Sequence, residues 1–338
     1  MPPASPSNQP GDRPHIWWRR PLRWGITLAL LALVVWFAGG TLQKAWEQLS
    51  TTTFDISLAW LLLSGLLYVV GLFPMACFWR LVLARLGQYP GWRPLLRAYY
   101  LGHLGKYVPG KAMVVLLRTG TLVAAGTQPR ATVVSVFLET LTFMATGAAM
   151  AALLIATHAN ASPLLVMLSA ALASLAGLPI CPPIARRLAR RVAPRSAGES
   201  DDPTMGITWS LTGWGVLAAT ISWGILGLSL WAIVRSLGLT GAHPFWQLPL
   251  WIESVSLPVV AGFLSLLPGG LGVRDTLLVE LLSPELSKLA SPEIAAAAAL
   301  VAAALWRLIS VVSEVAACGM IECSRLYRSP SPPRSDTP

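Results

Sequence analysis

Charge is scarce in this chain. Asp, Glu, Lys and Arg make up 12% of its 338 residues, about half the ~25% usual for a soluble domain. Its acidic residues are few and scattered. They form no DxD-like metal pair, no H-E-x-x-H helix and no G-x-S-x-G elbow, which removes the common signatures of metal-dependent transfer and of serine hydrolysis. No G-x-x-x-x-G-K-[ST] phosphate loop is present either. The four cysteines, Cys77, Cys181, Cys318 and Cys323, form no CxxC or Cys/His metal spacing. They read as small buried hydrophobes, and no cofactor is expected. Strict alternation over ten-residue segments is missing too, which excludes a membrane β-barrel. So is any repeated filter sequence, which speaks against a channel.

What the chain has instead is apolar length. Hydrophobic residues make up 54% and mean hydropathy is +0.61, with apolar runs too long for soluble helices. The class is an all-α polytopic membrane protein. The net charge of +10 does not indicate nucleic acid, because the arginines sit in short loops beside apolar spans, where the positive-inside rule places them. Residues 1–20 read as a cytoplasmic tail, rich in Pro and Ser at its start, and 326–338 as a second. Between them lies a membrane domain, 21–325, whose halves (21–195 and 207–325) are joined by a polar linker at 196–206.

Full spans are expected at about 24–40 (an uncleaved anchor), 56–79, 131–156, 163–181, 207–234 and 293–318. Two regions of mixed character, 95–128 and 246–289, are each broken by a Pro-Gly loop. With the arginine clusters at 80–97, at 186–195 and in the C-terminal tail all placed inside, both broken regions become re-entrant and enter from opposite faces. With the N-terminal anchor left out of the count, the expected architecture is about five full transmembrane helices plus two re-entrant helical hairpins in an inverted-repeat arrangement. Both termini fall on the cytoplasmic side of a bacterial inner membrane.

The two loops carry the functional reading. The first is GKYVPGKAMVVLLR (105–118) and the second SLLPGGLGVRD (265–275), about 160 residues apart. Broken backbone is tolerated in lipid only where protein buries it or where it lines a cavity. In the first, Pro109 and Gly110 end one helix near Val108, and a second begins near Lys111 with free N–H groups. His103, Lys106, Lys111 and Arg118 add formal cations, so the loop reads as an anion cradle. In the second, Pro268, Gly269, Gly270 and Gly272 supply the break and Arg274 the cation. Ordinary surface loops are the bland alternative for both.

Ionisable residues inside spans point the same way, since each costs ~2.5–3.5 kcal/mol at the bilayer centre unless it faces protein or water. Ser135, Glu139, Thr142 and Thr146 make one face of the third span polar. In the last span Arg307, Ser310 and Glu314 share a face; Arg307 and Glu314 lie about 10 Å apart along the axis, too far to pair, so each needs another partner. Arg307 or Arg274 is expected to pair with Glu139 or Glu253, although Glu253 equally suits a membrane interface. Trp17, Trp18, Trp24, Trp46, Trp60, Trp79, Trp92 and Trp246 read as an aromatic belt. Gly213, Thr220, Gly224 and Gly227 read as a close-packing face.

Taken in order, YYLGHLGKYVPGKAMVVLLR, the carboxylate of FLETLTF, LLPGGLGVRDTLLVELL and the arginine of ALWRLIS resemble the membrane domain of lysylphosphatidylglycerol synthetases and the wider flippase-like family. Each motif is weak alone; their order and spacing over about 20–325 are fairly specific. The resemblance implies translocation of lipid between leaflets, with Pro109, Gly110, Lys111, Arg118, Glu139, Pro268, Gly269, Gly270, Gly272, Arg274 and Arg307 in the characteristic positions. Met113 departs from it, standing where a small residue is expected. Full-length synthetases carry a soluble aminoacyl-transferase domain after the membrane part, whereas this chain ends about twenty residues past its last span, so aminoacylation by the chain alone is not expected. The expected partner is an anionic phospholipid or lipid-linked phosphate. Two alternatives stay open: a membrane-embedded transferase acting on a lipid-linked phosphate, and a non-catalytic subunit partnering a membrane enzyme.

Overall fold

The computed structural model describes residues 54–107, 112–157, 162–192, 203–265, 267, 270 and 272–326. These form helices and no strand. Four helices are long and apolar enough to cross a membrane: α1 (Leu58–Arg85), α4 (Pro129–Ala156), α7 (Trp209–Ser236) and α10 (Pro292–Leu326). The span expected at 163–181 is α5 (Pro163–Gly177) with a 3-10 turn to Ile180. It is followed by the arginine-rich α6 (Pro182–Val192), bent away by 57°. Pro182 and Pro183 at the break explain the bend. The described spans thus number up to five. The sixth stretch in the sequence reading, 24–40, and the polar tails lie outside the described residues, as does most of the linker.

The spans run longer than their apolar cores. α1 and α7 have 28 residues each, about 42 Å at 1.5 Å per residue against ~30 Å of hydrocarbon, so their ends reach the headgroups. Arg85 and Arg235 close the last turns, where a cation suits the helix dipole. Both helices then stop in the same way: Leu86-Gly87 and Leu237-Gly238 follow, with Gly87 at φ 73° and Gly238 at φ 81°, the left-handed exit that glycine permits. Leu58, Leu62, Leu66, Val70 and Phe73 make an exposed stripe on α1 at the spacing of one helix face, suited to lipid.

These two twin helices are the centre of the fold, and they run antiparallel. Ser57 N–H donates to the Ser236 carbonyl, Ser64 and Ser229 exchange hydroxyl-to-carbonyl hydrogen bonds, and Phe78 lies against Gly215. Each step forward on α1 is matched by an equal step backward on α7. Gly215 lets the two approach closely, since an added Cβ would meet Phe78 at 2.6 Å; Gly227 faces another neighbour, and a Cβ there would meet the Ile252 amide nitrogen at 3.0 Å. The expected small-residue face is corrected accordingly: Gly213 and Gly224 have open space beside them and Thr220 is exposed.

Each twin helix is followed by a hairpin of two short helices. α2 (Trp92–Leu104) and α3 (Ala112–Val123) form the first; α8 (Leu248–Leu264) and α9 (Val273–Leu286) form the second. At 12 to 17 residues each limb reaches only about 18–26 Å, short of the ~30 Å hydrocarbon core. α2 turns back along α1: Arg80 stacks over Trp92, and the Tyr100 hydroxyl donates to the Val69 carbonyl. α8 likewise returns along α7, with Trp251 against Gly227. Because α1 and α7 are antiparallel, the hairpins enter from opposite ends of the bundle. α10 packs beside both, and its run of buried alanines (Ala295, Ala298, Ala299, Ala302, Ala303, Ala304) lets the backbones approach.

The tryptophan belt is partly corrected. Trp92 and Trp246 are exposed and Trp60 is half-buried, but Trp79 is fully buried, as are Trp223, Trp251 and Trp306; Trp17, Trp18, Trp24 and Trp46 lie outside the described residues. The cysteine reading is corrected: none of the four is fully buried, Cys323 being exposed and the other three half-buried.

Candidate functional site

The first hairpin is fixed by Arg118 of α3. Its side chain is 3% exposed, and its Nη1 donates to Glu139 Oε2 of α4 at 2.5 Å. The Tyr99 hydroxyl donates to the other carboxylate oxygen at 3.2 Å, and Thr140 adds a third bond at 3.2 Å. The guanidinium lies 4.4 Å from the Tyr99 ring centroid and 5.1 Å from that of Trp79. A buried charge pair survives only when its remaining hydrogen-bonding capacity is also met, and aromatic faces supply part of that here. Gly102 makes the room: a Cβ there would sit 2.4 Å from Arg118 Cγ. Ser135, Thr142 and Thr146 are buried on the same α4 face.

The tip of this hairpin is the 3-10 turn Gly105–Tyr107. Gly105 packs on the backbone of Met113 and Val114, closing the two limbs together. Lys106 Nζ donates to Glu314 Oε1 of α10 and, at 3.2 Å, to the Tyr68 hydroxyl of α1. Tyr68 in turn donates to Glu314 Oε1 at 2.5 Å. Tyr68 is 17 residues from the Arg85 end of α1, so the tip has passed about 25 Å along that helix from the side it entered. It lies beyond the bundle's midpoint. His103, expected as a further cation, lies half-buried between the two ion pairs: its Nε2 is 3.4 Å from Arg118 Nη2, and its Nδ1 is 4.0 Å from Glu314 Oε1. A guanidinium can only donate, so in this contact Nε2 is the acceptor.

The second hairpin closes by glycine as well. Gly270 (φ 69°) lies so near Gly262 that a Cβ on it would be 2.9 Å from the Gly262 Cα. Gly272 (φ 74°) caps the N-terminus of α9. Arg274 and Asp275 form the first turn. Arg307 Nη1 of α10 donates to Asp275 Oδ2 at 2.6 Å. Arg274 turns the other way: its guanidinium stacks 4.5 Å over the Trp306 ring and shares its electrostatic field with Lys106, Tyr107 and Arg307. The residue is 8% exposed. Among the described residues no carboxylate pairs with it.

The two tips therefore meet beside α10. Lys106, Arg274 and Arg307 are gathered there with Asp275 and Glu314. Arg118 and Glu139 lie behind them on the first hairpin's side, through His103. Glu253 is buried at 2% exposure within α8. The expected pairings are corrected too: Glu139 is taken by Arg118, and Arg307 by Asp275. Pro109, Gly110, Lys111, Pro268 and Gly269 lie outside the described residues. Asp275, Tyr68, Tyr99 and Trp306 were missed as site residues. Asp275 was within reach, being the residue after Arg274 and in the first turn of a helix. Nothing in the local pattern distinguished the aromatics.

Set beside known proteins, residues 24–318 match the family model described as "Lysylphosphatidylglycerol synthase TM region". No curated protein matches the chain.

Proposed function

On the premise that the chain belongs to the lysylphosphatidylglycerol synthase TM region family, we propose that it binds an anionic lipid headgroup where the two hairpin tips meet and carries it between leaflets. The observation behind this reading is Arg274, a guanidinium nine-tenths buried at mid-bundle with no carboxylate partner among the described residues. An uncompensated buried charge is costly. A phosphate is the natural counter-charge at this depth, and a planar guanidinium holds it through two parallel hydrogen bonds. Lys106 stands close by, its side chain 26% exposed, ready to add a second contact.

In this mechanism the headgroup enters the polar tips while the acyl tails stay in lipid. The antiparallel twin helices give the two halves equivalent, oppositely directed hairpins, and rocking of one half against the other opens the site to each side in turn. No covalent bond is made or broken, so the protein acts as a carrier rather than an enzyme. Its membrane is the bacterial inner membrane, with the arginine-rich 80–97 loop and α6 on the cytoplasmic side.

The test is leaflet exchange of labelled phosphatidylglycerol in vesicles reconstituted with the full chain. Losing a charge-assisted hydrogen bond costs ~1.5–3 kcal/mol, so Arg274→Ala is expected to slow exchange roughly 10- to 100-fold. Labelled phosphatidylcholine should exchange slowly with either protein. Equal phosphatidylglycerol rates for wild type and a Lys111→Ala/Arg274→Ala double variant would sink the mechanism.

A further inference from the structure

Glu314 is fully buried, and Lys106, which it holds, is the more accessible partner of the pair. An incoming phosphate must therefore compete with Glu314 for Lys106. If the phosphate wins, a bare and fully buried carboxylate is left. Around it stand Tyr68 of α1, His103 of α2, Lys106 and Tyr107 of the turn and Cys318 on its own helix; Arg274 of α9 and Arg307 stand one step further out, beside Tyr107. Arg307 is held by Asp275, and Arg274 is the cation the phosphate itself would occupy. Once Lys106 turns to the phosphate, no second Lys or Arg among the described residues is paired with Glu314.

We propose that Glu314 is a proton-binding site coupled to the headgroup: each anionic headgroup that takes Lys106 brings one proton onto the Glu314 carboxylate. This inference rests on the headgroup reading above. The exchange balances: Lys106 keeps its three protons and changes partner, Glu314 goes from carboxylate to carboxylic acid, and one proton leaves the water. When the headgroup departs, Glu314 releases that proton and recaptures Lys106. The geometry provides for the acid form. Oε2 of Glu314 accepts no hydrogen bond among the described residues and is open to a proton, and Tyr68 holds Oε1 in either state. His103 does not compete for the proton, because an imidazolium there would face the Arg118 guanidinium. Coupled in this way, a proton gradient can drive the lipid.

The experiment uses the purified full-length protein in weakly buffered detergent with a pH-indicating dye, titrated with short-chain phosphatidylglycerol while binding is followed in parallel. Wild type is expected to take up about one proton per lipid bound, and Glu314→Gln to bind the lipid with that uptake lost. The exposed-pair variant Glu322→Gln should keep it. Lipid binding by wild type with no proton uptake would overturn the coupling and leave the headgroup reading standing. Undiminished uptake in Glu314→Gln would overturn the assignment to this carboxylate. Should Glu314→Gln not fold, Lys106→Gln serves in its place, with uptake again expected to be lost and persistence of uptake overturning the proposal. Inorganic phosphate in place of the lipid is expected to give neither binding nor uptake; uptake with phosphate alone would overturn the lipid as its source. Absence of any lipid binding would overturn the headgroup reading and this inference together.

Discussion

The first hairpin brings an arginine to the span behind it, where a glutamate waits; the second brings an aspartate to a span that carries the arginine. Arg118–Glu139 and Asp275–Arg307 hold corresponding limbs, α3 and α9, against corresponding spans, α4 and α10. The anchoring geometry recurs and the sign of the charges is exchanged. What the fold requires is a buried pair, in either polarity. Function depends on the remainder. In the first hairpin the tip cation, Lys106, is held by Glu314. In the second, Arg274 sits beside the anchor with only a ring beneath it. On the proposed reading, the second hairpin offers a standing anion site and the first a conditional one.

The largest break in this comparison is Arg118→Ala. Removing one member of a buried pair strands the other, at a cost of ~3–5 kcal/mol, and Glu139 is only 4% exposed. A large fall in thermal stability of the purified protein in detergent is expected. A shift no greater than that of a surface mutation would show that the pair does not hold the hairpin. In the second half, Asp275 is 12% exposed, so water can partly compensate, and Asp275→Asn should cost less, ~2–3 kcal/mol. The sharper version exchanges the charges. Asp275→Arg with Arg307→Asp gives the second hairpin the polarity of the first, and the double variant should recover at least half the stability lost by the worse of its two single variants. No recovery would mean that local geometry, rather than pairing as such, sets the polarity. Smaller again is Gly102→Ala, which pushes a Cβ into the Arg118 side chain. Overpacking of this kind costs ~1–3 kcal/mol, and the same thermal measurement should place it below Arg118→Ala.

Much of this was legible in the residues. Apolar length fixed the spans, because only lipid tolerates such runs, and the Pro-Gly breaks fixed the hairpins, because both residues interrupt a helix for local reasons. Helix ends at Leu104 and Ala112 fall within a few residues of the expected break. The polar face of α4 was visible for the same reason, since 3.6-residue periodicity is local. The partners of the buried charges were not visible. Arg118 and Glu139 are 21 residues apart and Lys106 and Glu314 are 208 apart, and a sequence read along one helix carries no information about which helix lies beside it. Tyr68, Tyr99 and Trp306 were invisible as site residues for a related reason: an aromatic in a span reads as packing until the cation over its face is placed. The twin exits Leu86-Gly87 and Leu237-Gly238 are a local signal of the internal repeat, since each is a leucine followed by a glycine just past an arginine.

The smallest expected effect compares two ion pairs across one interface. α2 and the turn after it meet α10 twice, at Arg97–Glu322 and at Lys106–Glu314. The chemistry is similar and the burial is not: Arg97 and Glu322 are 28% and 46% exposed, while Glu314 is fully buried. Water and ions screen the outer pair, and holding two long side chains in one geometry opposes it, so exposed pairs contribute ~0–1 kcal/mol. Glu322→Gln should therefore lower the thermal midpoint by little, and by still less in high salt, which has already weakened the pair. Lys106→Gln should lower it several times more, and that loss should change little with salt, because Glu314 is left where ions do not reach. Equal losses from the two variants, or equal sensitivity to salt, would mean that the tip of the first hairpin is as open to solvent as its base. The distinction between a buried meeting point and an ordinary surface loop would then disappear.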